Sequence, residues 1–466
     1  MFQKLLVANR GEIACRIFRT CERLGIPTVA VFSDADVLSP HVSQADEAIR
    51  IGPAKVGESY LNIDAILAAV NDVGADAVHP GYGLLSERRA FADAVLAAGA
   101  TFIGPPSEAL EAFGDKIKAR HIARQAGVFP PPGSAHPVDP KDGALLQAEA
   151  ERIGFPILIK AAAGGGGIGM QIVRQASELE RAAQTCADRG VQAFGDGRIY
   201  LERYLEQPRH IEVQVFCDAH GHAVALGERE CSVQRRHQKI IEESPSPAAF
   251  FGGPSGAERR KKLWNAALSV VQAANYRGAG TVEFVADAAG ELYFLEVNAR
   301  LQVEHPVTEL VTGLDLVEWQ LRVAAGQSLP PEALSPTLSG HAIEVRLYAE
   351  DPSKGFVPQP GRLARFDLPE GLPGVRVDSG VMAGQEITPF YDPMLAKIAA
   401  HGATREEALQ RLLLALAACR VELVGPKGPR ATNLAFLQQV LRSPQFQSGQ
   451  YDTGLVEALA RSDARS

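Results

Sequence analysis

The segment Lys160–Met170, KAAAGGGGIGM, carries four consecutive glycines, Gly164, Gly165, Gly166 and Gly167, and a fifth at Gly169. A run of this kind has no side chains to bury and loses the most conformational freedom on folding, so packing alone gives no reason for it. It lies between GFPILIK (154–160) and MQIVR (170–174), two apolar runs of strand length. Together they predict a hairpin with a bare tip, whose backbone N–H groups suit phosphate oxygens with no side chain in the way. A surface linker is the alternative, and Lys160 beside the run weighs against it. G-x-x-x-x-G-K-[ST] is absent, which excludes a P-loop.

A chain of 466 residues exceeds a single core and suggests about three domains. Apolar residues make up 46% and charged residues 22%, ordinary values for a soluble globular enzyme. The net charge of −8 argues against a nucleic acid partner, since phosphate backbones are held by surplus Lys and Arg. Cys15, Cys21, Cys186, Cys217, Cys231 and Cys419 are scattered, with no C-x-x-C pair, and read as reduced thiols. The first residues meet charge too early for a signal peptide, and no long uncharged span suits a membrane helix. The expected location is the cytoplasm.

Short apolar runs alternate with amphipathic stretches through the first hundred residues. KLLVAN (4–9), PTVAVF (27–32), ADAVHPGYG (75–83) and ATFIGPP (100–106) read as strands. Residues 11–24, with Ile13, Ile17, Cys21 and Leu24 on one stripe, and 87–98 read as helices, giving a doubly wound α/β unit. Only Gly11 follows the first strand, so a dinucleotide fingerprint is missing. The tail from about 403 to 441 looks helical, with Leu409, Leu412, Leu413 and Leu416 forming a core stripe.

In LEVNARLQVEH (295–305), Glu296, Asn298, Arg300, Gln302 and Glu304 alternate with apolar residues. In an extended chain this pattern sends the polar side chains to one face, and the residue types suit ligands better than solvent. Upstream, GTVEFV (280–285) sets Glu283 inside an apolar strand, and a turn at Asp287–Gly290 brings Glu283 and Glu296 to neighbouring strands. Hard oxygens from Glu283, Glu296 and Asn298 suit Mg2+ bridging ATP phosphates. A third cluster, ERECSVQRRHQKIIEE (228–243), reads equally well as a basic turn paired with its own acids, and Cys231 within it as a packed thiol.

These segments, with KLLVANRGEIACRI, SYLNIDAI, VHPGYGLLSE, FGDK, EQPRHIEVQV, HAIEVRLYAEDP and FYDPM, resemble the biotin carboxylase family of the ATP-grasp superfamily from end to end. The resemblance implies an α/β and α+β chain with a doubly wound α/β unit at 1–115. It implies an ATP-grasp unit at 116–334 with a lid at about 133–204, and a biotin carboxylase C-terminal unit at 335–466. The implied reaction is ATP-dependent carboxylation of biotin by bicarbonate through carboxyphosphate.

The family's roles fall on Lys116 and Lys160 for phosphate, Glu202 and Leu205 for adenine, and His210, Gln234 and His237 lining the nucleotide site. They fall on Glu283, Glu296 and Asn298 for Mg2+ or Mn2+, and on Glu304 for the base that deprotonates bicarbonate. Arg300 and Lys239 hold the anionic carbon fragment, Arg346 steadies charge on biotin, and Gln302 and Val303 border bicarbonate and biotin. The glycine run becomes the lid over ATP.

Ile168 stands where the family usually has Lys or Arg, and VGPKGPRATN (424–433) is longer than the corresponding loop. No A-M-K-M setting for a biotinylated lysine is present, so biotin is expected on a carrier protein, with a carboxyltransferase as a further partner and a homodimer as the assembly. An acetyl-CoA or propionyl-CoA carboxylase is the expected setting. A urea-carboxylase-like system and an inactive ATP-grasp binding protein are the alternatives.

Overall fold

A computed structural model describes residues 1–162, 170–235 and 238–463. Gly164–Gly167, Ile168 and His237 lie outside the described residues. The strands Glu47–Gly52, Thr28–Ser33, Leu5–Val7, Ala77–His79 and Thr101–Phe102 form, in that order, a parallel sheet. Leu5, Leu6 and Val7 are fully buried, as a parallel strand covered on both faces requires. The helix Gly11–Leu24 buries Ile13, Ile17 and Cys21 and stops at Gly25, whose left-handed φ of 66° lets its N–H cap the last turn.

Eight strands make one antiparallel sheet: Leu292–Asn298, Gly278–Ala286, Arg209–Cys217, Ala223–Arg235, Gln238–Ser244, His341–Tyr348, Met394–Gly402 and Val375–Ser379. It runs without a break from the central third of the chain into the last third, because Gln238–Ser244 pairs directly with His341–Tyr348. A smaller antiparallel sheet, Met170–Val173, Ile157–Ala161 and Ile199–Arg203, carries its own core of Leu146, Ile159, Val173, Leu179, Cys186 and Leu201. The hairpin expected around the glycine run is thus present in its two strands. All six cysteines are buried and free, and no helix among the described residues is long and apolar enough to cross a membrane.

Two sequence expectations are corrected. The tail is not continuously helical: Arg405–Ala418 and Leu434–Arg442 are helices, but Arg420–Gly425 and Gly428–Arg430 between them are paired strands. The apolar period changes at Cys419, after which Leu423 is buried while Arg420, Glu422 and Val424 are exposed, the alternation of a strand. The segment 424–433 lies on this hairpin and its exit. Likewise, the polar alternation of 295–305 is strand only as far as Asn298. Pro306 opens the helix His305–Thr312, so the chain from Ala299 to Glu304 turns instead of continuing the ladder.

Glu243 fastens the long sheet to the C-terminal helices. Arg405 reaches its two oxygens at 2.6 and 2.9 Å, His341 Nε2 lies 2.6 Å away, and the Tyr451 hydroxyl donates to it. Burial pushes this carboxyl up, but His341 and Arg405 outweigh burial and hold it down to about 2. A carboxyl lowered on folding adds stability above its ordinary value near 4.5 that fades as pH falls toward 2, here up to about 3 kcal/mol. Glu243→Gln is therefore expected to cost about 2–3 kcal/mol at pH 7, with the gap to wild type narrowing between pH 5 and pH 3 in denaturant titrations.

Candidate active site

The long sheet lines up a row of charged residues. Glu296 faces Glu283, Glu283 faces Glu212, and Glu212 faces Arg229 across four neighbouring strands. Direct cross-strand neighbours have Cβ atoms about 5 Å apart, where like charges repel, so the row demands cations. Arg229, fully buried, supplies one: it reaches Glu212 Oε1 at 2.6 Å and also donates to Gln214, Thr281, Gln302 and Thr308. Lys239 supplies the other from the neighbouring strand, Gln238–Ser244. Its ammonium contacts Glu212, Glu283 at 2.8 Å and Glu304 at 2.7 Å. Three carboxylates use the three donors that a lysine has. Burial alone would lower the Lys239 ammonium, yet these acids hold it well above its ordinary range.

Glu304 sits at the start of His305–Thr312, 2% exposed, between Lys239 and Arg346, whose Nη2 is 2.8 Å away. Burial raises its carboxyl, and Lys239, Arg346 and Arg229 together bring it well below the carboxylate range. Arg346 also ion-pairs with Glu242, which burial pushes up to about 7 despite that partner, Glu304 adding to the rise. Arg300 is held by Glu87 at 2.9 Å and by the Asn298 oxygen at 3.0 Å. Arg300, Val303 and Arg346 line a cleft of about 500 Å3 together with Glu12, Tyr82, Gly83 and Tyr348.

The nucleotide-side residues gather beyond Glu283. His210 Nε2 is 2.8 Å from Glu283 Oε2, and its Nδ1 is 2.6 Å from the Gln234 amide. Lys160, on Ile157–Ala161, pairs with Glu202 on Ile199–Arg203, and Arg120 binds the same carboxylate at 2.6 Å. Burial opposes but does not overcome these cations, so the Glu202 carboxyl is lowered. Lys116 opens the helix Lys116–Gln125, and burial pushes its ammonium down although Glu296 and Glu202 counter it. Lys116 thus stands at the N-terminus of a helix, where anions are favoured, and Lys160 stands near the end of Ile157–Ala161. Leu205 follows the strand, half-buried.

Glu283 and Glu296 fit a divalent ion as facing carboxylates on one hairpin, and Glu296 has no hydrogen bond or ion pair among the described residues. Burial and the Glu283 charge push the Glu296 carboxyl up, a repulsion that a hard cation between the two would relieve. Among the described residues, the ligand atoms drawn closest together are a different set, His210 with Glu212 and Glu283, and Glu212 with Cys231 and Glu304. Lys239 already meets Glu212, Glu283 and Glu304 of those sets, which leaves Glu296, opposite Glu283, as the carboxylate without an ion pair among the described residues. The Asn298 oxygen accepts from Arg300, and its amide donates to Glu283 at 2.8 Å.

Gln302 is held from two sides. Its oxygen accepts from Arg229 at 2.7 Å and its amide donates to Glu283 at 2.9 Å, so it braces the charge row from inside. Glu212, Arg229, Glu242 and Glu87 belong to the site and were not singled out from sequence. Cys231 is buried, and burial beside Glu212 pushes its thiol well above its ordinary range, which leaves no thiolate for nucleophilic chemistry.

Three family descriptions cover the chain: "Biotin carboxylase, N-terminal domain" at residues 1–110, "Carbamoyl-phosphate synthase L chain, ATP binding domain" at 115–332 and "Biotin carboxylase C-terminal domain" at 344–458. A biotin carboxylase of Halalkalibacterium halodurans is 50% identical over 461 residues, covering 98% of this chain and 97% of that protein. The propionyl-CoA carboxylase alpha chain of Ruegeria pomeroyi is 46% identical over 98% of this chain and 68% of its own length. The biotin carboxylase domain dimer of the Hydrogenobacter thermophilus 2-oxoglutarate carboxylase, solved with MgADP, ADP and bicarbonate, superposes with a TM-score of 0.90 at 41% identity, covering 98% of each chain.

Arg229→Met, which leaves Glu212 and Gln302 without their buried partner, is expected to cost about 3–5 kcal/mol of stability in thermal or denaturant unfolding. The charge row, the Glu304–Lys239–Arg346 cluster and the end-to-end similarity have one reading: the chain belongs to the biotin carboxylase family, ligases that use ATP to fix a carboxyl group.

Proposed function

We propose that this chain carboxylates biotin carried on a separate carrier protein, with ATP and bicarbonate, as the first half-reaction of an acyl-CoA carboxylase. The observation that carries the reading is Glu304, a buried carboxylate kept ionised by Lys239 and Arg346 beside the cleft. An ionised carboxylate is the form that accepts bicarbonate's proton. The very cations that keep it ionised also weaken it as a base. Bicarbonate, as an anion, competes for Lys239 and Arg300, and so restores basicity to Glu304 only when substrate is present.

Deprotonated bicarbonate then attacks the γ-phosphorus, ADP leaves, and carboxyphosphate forms. Its breakdown yields CO2 and phosphate; phosphate takes the ureido N–H proton and the nitrogen attacks CO2. Lys116 and Lys160 are assigned to the ATP phosphates, with Gly164–Gly167 as the covering amides. Glu202 and Leu205 are assigned to adenine, and His210, Gln234 and His237 to the nucleotide wall. Glu283, Glu296 and Asn298 are assigned to Mg2+ or Mn2+, which would offset the phosphate charge. Arg300 and Lys239 hold the carbon fragment, and Arg346 meets the oxygen charge on biotin.

The Ruegeria relative is the alpha chain of a propionyl-CoA carboxylase and supports an acyl-CoA acceptor, while the dimeric Hydrogenobacter domain supports a homodimer. A carboxyltransferase partner and a cytoplasmic setting complete the proposal.

ATP cleavage by the purified chain is expected to depend on bicarbonate and to be coupled to carboxylation of added biotin; turnover indifferent to both sinks the reading. Glu304→Gln is expected to keep MgATP binding and lose bicarbonate-dependent turnover by about a hundredfold or more. Arg346→Ala, checked for folding by circular dichroism, is expected to retain bicarbonate-dependent ATP cleavage and lose biotin carboxylation. Identical partial reactions in the two variants contradict this division of roles. Affinity capture of the native complex, followed by identification of its transferase, tests the acceptor.

A further inference from the structure

Lys397 lies on Met394–Gly402 directly opposite Arg346 in the sheet and is 1% exposed. Lysine is almost never buried this deeply unless its ammonium is fully engaged. Here Nζ donates to the Val303 carbonyl at 2.9 Å, lies 3.1 Å from Glu12 Oε1 and 3.9 Å from Asp378 Oδ2, and stands 5.9 Å from the centre of the Tyr82 ring. The Tyr82 hydroxyl donates to the same Glu12 oxygen. One ammonium therefore joins a helix of the N-terminal unit, the turn that carries Tyr82, and the segment between Gln302 and Glu304.

These partners are walls of the cleft. Glu12, Tyr82 and Val303 border it together with Arg300 and Arg346. Val303 is also the residue immediately before Glu304. Gln302, on its other side, is fixed by Arg229 and Glu283, and Glu304 by Lys239 and Arg346, so Lys397 completes the fastening of the segment through its only contact on the main chain of Val303 among the described residues. Asp378 does not need Lys397 for neutrality, since Arg19 and Arg376 also pair with it.

We propose that Lys397 is a positioning residue for biotin carboxylation, holding the Val303 carbonyl and, through Glu12, the Tyr82 hydroxyl, so that the cleft wall keeps one geometry beside Glu304 and Arg346. A wall displaced by about 1 Å is enough to cost two orders of magnitude in a reaction between held partners. The loss falls on transfer to biotin, because a loosened wall lets water reach the carboxylated intermediate while the ATP side of the site is untouched. The inference rests on the biotin-carboxylating reading above.

The test separates positioning from charge balance. Wild type, Glu12→Gln, Lys397→Met and Glu12→Gln/Lys397→Met are compared for the ratio of biotin carboxylated to ATP cleaved, with free biotin as the probe, and for the KM of ATP. That ratio does not change when a lesion merely lowers the fraction of folded enzyme. In Glu12→Gln the side-chain oxygen still accepts from Tyr82 and Lys397 stays on Val303, so any loss in the ratio is expected to be smaller than in either variant lacking Lys397. Both variants lacking Lys397 are expected to lose at least about tenfold in the ratio with the ATP KM within twofold, the double variant regaining thermal stability because no buried carboxylate is left unpaired. A double variant with the wild-type ratio would show that Lys397 only balances Glu12 and overturns the proposal. A wild type that cleaves ATP without carboxylating biotin overturns the functional reading instead, and is told apart because it is measured before any variant.

Discussion

Three carboxylates on one buried ammonium set the terms for the rest of this structure. Glu212, Glu283 and Glu304 come from a central strand, its neighbour and a helix start, and Lys239 is the cation that all three share. The hairpin of Ala223–Arg235 and Gln238–Ser244 is what delivers that lysine, with Gln234 opposite Lys239 in the register. The same hairpin delivers Arg229, so both cations that make the acid row tolerable hang on one supersecondary unit. Buried charge pairs are weak sources of stability, since desolvation takes back most of the Coulomb gain. On the function proposed above, their retention serves chemistry, since an ionised base and a metal-binding pair would have to exist in a buried site.

Glu304 is lowered by Lys239 and Arg346 against the effect of burial. Glu242 shares the same Arg346 nitrogen and is pushed up to about 7, chiefly by burial, and Glu344 beside it in the register has both oxygens without a hydrogen bond among the described residues. Burial holds the Glu344 carboxyl well above its ordinary range.

Local chemistry was legible where the signal was local. The parallel unit, the hairpin flanking the glycines and the placing of Glu283 and Glu296 on neighbouring strands follow from apolar periodicity and one turn, Asp287–Gly290, and each is in the structure. What could not be read is whatever depends on distant register. Arg229 sits in a strand buried along almost its whole length, and only its alignment with Glu212 distinguishes it from a surface arginine next to Glu228 and Glu230. Gln302 shows the same limit in reverse: alternation suggested a face shared with Arg300 and Glu304, but the chain leaves the ladder at Asn298, so parity no longer decides direction.

The long sheet ignores the boundary drawn from the sequence between the central and C-terminal units. Because Gln238–Ser244 pairs with His341–Tyr348, Glu242 on one side of that boundary lies two strand positions from the partner of Arg346 on the other, and the arginine reaches both Glu242 and Glu304. A shift of one residue in that pairing would turn every side chain of His341–Tyr348 to the opposite face. Arg346 would leave the cleft and Glu242 would lose its only cation at hydrogen-bonding range among the described residues. Register across this single strand pair therefore carries both the burial of the C-terminal core, through Ile241 against Val345, and the placing of the residue assigned to biotin. Stability and catalysis here draw on the same alignment, so the substitutions that leave the fold intact are the ones confined to side-chain atoms inside the cleft.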